Sequence, residues 1–157
     1  MLNRLFPKQV DNRFEGHRAA LWLLGLVIAL KLAMSVNSIV NTESVASGAD
    51  GLPLDSFGPA AARAVLMLFA LMSLGQLTLA VIALTTLIRY RAMVPFIYLV
   101  FLGEHLARRF LVQNYAVARA GSTPIGWYVN LGLLALLTFW LVLSLIPTQR
   151  RDSTRLA

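Results

Sequence analysis

Four stretches of the chain are almost continuously apolar: residues 19–40, 63–88, 92–113 and 126–147. At about 1.5 Å of rise per residue, a helix of about 20 residues crosses a hydrocarbon core of about 30 Å, and each stretch is long enough to do so. The pattern predicts an all-α fold, an integral membrane four-helix antiparallel bundle, with the spans forming one domain over residues 19–147. A basic segment, residues 1–18, precedes it and a basic tail, residues 148–157, follows.

The connections sharpen this outline. Residues 41–62 read as a loop punctuated by Gly48, Gly51, Pro53, Gly58 and Pro59 and made acidic by Glu43, Asp50 and Asp55. Arg89-Tyr90-Arg91 leaves room only for a tight turn, which predicts that the second and third spans are antiparallel neighbours. A third loop carries Arg119, Gly121 and Pro124. Trp127 and Tyr128 then open the last span as an interfacial aromatic belt, and Pro147 ends it. Ahead of the first span, Leu2, Phe6, Val10 and Phe14 recur every four residues, the spacing of a short interfacial helix that Pro7 interrupts. Asn12 and Glu15 have the spacing of a capping box, which places the start of the first long helix there.

Composition excludes several function classes. Hydrophobic residues make up 58% of the 157 and charged residues only 13%, far from the balance of a soluble domain. The absence of cysteine rules out disulfides, thiolate metal sites and a cysteine nucleophile. The net charge of +7 is spread along the flanks of the spans, so no nucleic acid partner is expected. Arg4, Lys8, Arg13, Arg18, Arg89, Arg91, Arg150, Arg151 and Arg155 fall on one side of the four spans, against two on the other, Arg63 and Arg119, or three if Arg109 at its span end is counted there. Lys and Arg collect on the cytoplasmic face, so both termini are expected in the cytoplasm and the acidic first loop outside. The short loops and compact length suggest a multi-pass protein of a bacterial-type inner (cytoplasmic) membrane.

The polar residues inside the spans carry the candidate chemistry. Lys31, Gln76, Glu104 and Thr138 each lie about 13 residues from the innermost basic residue of their span, about 20 Å and close to mid-bilayer. Ser35, Ser73 and Arg108 come one turn further out, followed by Ser38, Arg109 and Asn130. A central Lys, Arg or Asp costs about 2.5–3.5 kcal/mol, and each Leu or Phe returns only about 0.3–0.6. The third span, with Glu104, Arg108 and Arg109, is therefore near break-even alone and depends on the other spans. Equal depth and opposite charge predict that Lys31 meets Glu104 between the first and third spans, in competition with an intrahelical Glu104–Arg108 pair.

Intramembrane ionisable residues mark functional sites by default, although polar contacts also serve as glue between helices. The residues that would line such a site are Lys31, Ser35, Gln76, Glu104, His105, Arg108, Arg109 and Asn130. Lys31, Arg108 and Arg109 suit the anionic group of an amphipathic ligand, in a ligand binder or an accessory subunit. The alternative is a small proton-coupled carrier using Glu104 and His105, since a histidine changes charge near neutral pH and an arginine does not. Expected partners are the lipid bilayer and either a membrane protein or a second copy of the chain. An enzyme is disfavoured: no nucleophile motif occurs, and adjacent Glu104 and His105 project about 100° apart on a helix. His17 at the inner boundary is far from His105, so no metal site, haem or other cofactor is expected.

Overall fold

The computed structural model describes residues 5–114 and 125–146, with the side chains of residues 125–127 left aside. The described residues are largely helical, with no strand among them. Four long helices dominate: α1 (Arg18–Val40), α2 (Pro59–Arg89), α3 (Val94–Asn114) and α4 (Ile125–Leu145). Arg4, Arg119, Pro147 and the arginines of the tail lie outside the described residues, as does the Trp127 side chain; Tyr128 is exposed.

Helix α1 does not start at Asn12. Its N-cap is His17, with extended backbone (φ −67°, ψ 129°), whose Nδ1 accepts a hydrogen bond from the Ala19 amide at 3.2 Å. Residues 6–17 hold no helix, so the every-fourth apolar spacing of Phe6, Val10 and Phe14 does not produce an interfacial helix there. Local bonding competes with helix: Asp11 Oδ1 accepts from the Arg13 amide at 3.0 Å, and Pro7 has no amide to donate. The segment instead forms a strap across one end of the helices. The Ala92 amide donates to the Asp11 carbonyl at 3.2 Å, the Phe6 ring lies 5.7 Å from that of Phe96, and Phe14 packs on the core. Gly16 sits so close to the Ser144 carbonyl of α4 that a Cβ would collide with it.

The first loop is shorter and more helical than its glycines and prolines suggest. Asn41 caps α1, and the chain continues through a helical turn at Thr42–Ser44 and a π-helical stretch at Val45–Ala49. Gly51 supplies the positive φ of 65° that turns the chain back. A 3-10 turn at Leu54–Ser56 leads to α2, which begins at Pro59 and not at Arg63. Proline at the first helical position loses no hydrogen bond, and Ala60, Ala61 and Ala62 favour the helix that follows. The 31 residues of α2 make it about 46 Å long.

Residue pairings fix the helix directions. A Cβ on Gly25 would lie 3.5 Å from Leu87, and Lys31 bonds to Gln76, so α1 and α2 are antiparallel. The Tyr98 hydroxyl donates to the Ala20 carbonyl at 2.7 Å, and Lys31 reaches Glu104, so α3 runs parallel to α1. Helix α2 lies chiefly on α1, and α3 chiefly on α4. The expected close packing of α2 on α3 is slight, although only Tyr90 and a 3-10 turn at Arg91–Met93 separate them. A tight turn reverses direction without choosing the packing face. Ala80 and Ala83, both fully buried, are the small residues that let a helix approach α2 closely.

The apolar core occupies the half of the molecule nearest the strap. It comprises Ala20, Leu24, Val27 and Ile28 of α1, Ala83 of α2, Val94, Ile97, Tyr98 and Phe101 of α3, and Leu137 of α4. One turn beyond Ile28 and Phe101 the interior becomes polar, while the outer surface stays apolar: Leu26, Leu68, Ile82 and Phe139 are all exposed. Helices α1 and α2 and the stretch Tyr128–Leu145 of α4 are long and apolar enough to cross a membrane. Helix α3 falls short of that measure because Glu104, His105, Arg108 and Arg109 interrupt it.

Candidate functional site

Lys31, Gln76 and Glu104, one from each of α1, α2 and α3, meet in a closed triangle of hydrogen bonds. Lys31 Nζ donates to Gln76 Oε1 at 2.7 Å and to Glu104 Oε2 at 3.3 Å, and Gln76 Nε2 donates to Glu104 Oε1 at 2.9 Å. An amide suits the third corner because it accepts from the ammonium with one atom and donates to the carboxylate with the other. Lys31 is only 6% exposed, so its charge stays inside and does not reach out along the helix to water. Its ammonium also lies 4.8 Å from the centre of the Phe101 ring, a cation–π contact.

Glu104 is the hub. Its Oε1 accepts from Gln76 Nε2 and, at 3.2 Å, from Arg108 Nε; its Oε2 faces Lys31 Nζ and, at 2.9 Å, His105 Nδ1. The interhelical pair with Lys31 and the intrahelical pair with Arg108 therefore exist together, each on its own oxygen. His105 Nδ1 lies 2.9 Å from the Phe101 carbonyl as well. Both of its neighbours are acceptors, so Nδ1 carries a hydrogen. The helical-wheel separation of Glu104 from His105 is thus overcome: Cβ directions differ by about 100°, but the longer glutamate curls back to its neighbour.

The remaining candidates lie around this hub. Ser35 is buried one turn beyond Lys31 on α1, and Arg109 and Asn130 are half-buried. Ser73 is buried and donates to the Phe69 carbonyl of its own helix at 2.9 Å. Thr138 does not join the layer. It is exposed and donates to its own Leu134 carbonyl at 2.8 Å, as a hydroxyl in a helix does when no interhelical partner faces it. Phe101 was not among the expected site residues; its signal is its place three residues before Glu104 and four before His105, on the same helix face.

The charge balance is uneven. Within the hydrogen-bonded group, Lys31 and Arg108 are cationic and Glu104 is the one carboxylate among the described partners. One carboxylate thus faces two cations, Lys31 buried and Arg108 partly exposed. Protein-family models, curated proteins and solved structures contain no match to this chain.

Proposed function

We propose that the chain is an integral membrane protein, a four-helix bundle in the cytoplasmic membrane, whose charged layer receives the anionic group of a small amphipathic molecule. An apolar exterior around a polar interior supports the membrane assignment. Helix α3 joins the other three as a span because its charges find partners on α1 and α2 and need not face lipid. The orientation rests on charge. The strap, the turn between α2 and α3, and Ser144 lie together at one end with Arg13, Arg18, Arg89 and Arg91. Residues rich in Lys and Arg stay on the cytoplasmic side, so the acidic loop with Glu43, Asp50 and Asp55 lies outside.

The observation that carries the ligand reading is the sharing of Glu104 between Lys31 and Arg108. A second anion relieves the excess cation, and an amphipathic molecule brings that anion to this depth. Proton-coupled carriage has less support: both Glu104 oxygens are engaged by two groups each, an arrangement that holds a carboxylate still. The test is thermal unfolding of the purified protein in a neutral detergent with added decyl phosphate, decyltrimethylammonium or decyl alcohol. Stabilisation by decyl phosphate alone, weakened in Lys31→Ala, is expected. Equal effects of all three amphiphiles, or none from any, refute the reading.

A further inference from the structure

The Arg108 side chain is held at one edge and open at the other. Its Nε donates to Glu104 Oε1 at 3.2 Å, while its two terminal nitrogens have no hydrogen-bond partner in the protein among the described residues. The side chain is 31% exposed, so Arg108 is not sealed inside the layer. A guanidinium fork with both terminal N–H groups unoccupied matches two oxygens of one oxyanion. Its depth is informative too. From Arg91 at the basic end to Arg108 the chain climbs about 26 Å at helical rise, one turn beyond the Lys31–Gln76–Glu104 layer toward the outer side. On the same helix face Leu111 and Val112, three and four residues on, are exposed.

Resting on the reading above, we propose that the open edge of Arg108 binds the phosphodiester of an anionic lipid in the outer leaflet, one lipid per chain. The lipid's negative charge offsets the excess of cation within the Lys31–Glu104–Arg108 group. Glu104 acts as the positioning residue, because its bond to Nε presents the opposite edge of the guanidinium to the lipid. A lysine at this position keeps the charge and loses the fork.

Native mass spectrometry of the full chain, released from neutral detergent, tests this with phosphatidylglycerol, phosphatidylcholine and inorganic phosphate as probes. The wild type is expected to retain one phosphatidylglycerol. Arg108→Gln and Arg108→Lys should each weaken retention about tenfold or more, the loss expected for a charge-assisted pair of hydrogen bonds. Arg108→Lys keeps an ionic partner for Glu104, and circular dichroism on both variants separates lost binding from lost folding. Inorganic phosphate that displaces the lipid from the wild type supports an oxyanion site with a soluble source of ligand. Phosphatidylcholine retained as strongly as phosphatidylglycerol overturns the charge argument. Lipid retention unchanged in both folded variants overturns the Arg108 site and leaves the broader ligand reading standing. No anionic amphiphile retained by the wild type overturns both.

Discussion

Removing Glu104 should harm the protein more than removing Lys31, although the two form one ion pair. In Lys31→Ala, Glu104 keeps contacts with Gln76, His105 and Arg108, and only Gln76 Oε1 loses its donor. A contact of this kind contributes about 1–2 kcal/mol. In Glu104→Ala, Lys31 and Arg108 both lose their carboxylate, while Gln76 Nε2 loses its acceptor and His105 Nδ1 keeps only the Phe101 carbonyl. Leaving buried charge uncompensated costs about 3–5 kcal/mol. The double variant removes the stranded lysine, so it should be more stable than the sum of the single losses by about 1–2 kcal/mol. The assay is equilibrium unfolding of the purified protein in mixed micelles, titrated with sodium dodecyl sulfate and followed by far-ultraviolet circular dichroism. Strictly additive losses would exclude a direct Lys31–Glu104 interaction in the folded state. Equal losses from the two single variants would exclude the role of Glu104 as the hub.

Other sites give independent tests. Gly16→Ala should destabilise by about 1–3 kcal/mol, because its Cβ meets the backbone of Ser144, which cannot rotate away; Gly48→Ala, with open space around it, should stay within about 0.5 kcal/mol. The same unfolding assay applies, and equal losses would rule out the close approach. Tyr98→Phe removes the buried donor to the Ala20 carbonyl and should cost about 1 kcal/mol; no loss would mean that the hydroxyl is dispensable for docking α3 on α1. The chain contains no cysteine, so single cysteines can be placed without background. In right-side-out spheroplasts, a membrane-impermeant maleimide should label Asp50→Cys and spare Arg13→Cys; the reverse pattern refutes the proposed orientation.

The long helices were legible because apolar run length and helical rise are properties of the chain itself. For the same reason the depth of Lys31, Gln76 and Glu104 could be counted before their contacts were seen. Depth does not determine azimuth, however. Thr138 is as deep as Glu104 by residue count and faces away, content with its own Leu134 carbonyl. The start of α1 was hidden because a capping box is only a spacing, and His17 competes for that role through its ring nitrogen. Pro59 looked like a loop residue since the same ring that breaks a helix interior also suits its first position. The contact of Glu104 with His105 was hidden by a wheel that tracks Cβ vectors and ignores the reach of a flexible side chain.

The close approach of Gly16 to Ser144 also sets an order in time. A residue just ahead of the first long helix lies against a carbonyl near the end of the last one, across nearly the whole described chain. A ribosome delivers Ser144 long after α1 and α2 have emerged, so the strap lacks its contact with α4 until that last helix has been made. The earlier helices can pair beforehand, because their contacts close over shorter stretches of chain. Closure of this end is then a late folding step, and a chain truncated before Ser144 would retain the α1–α2 pair and the strap's contacts with Ala92 and Phe96 but lack its seat on α4.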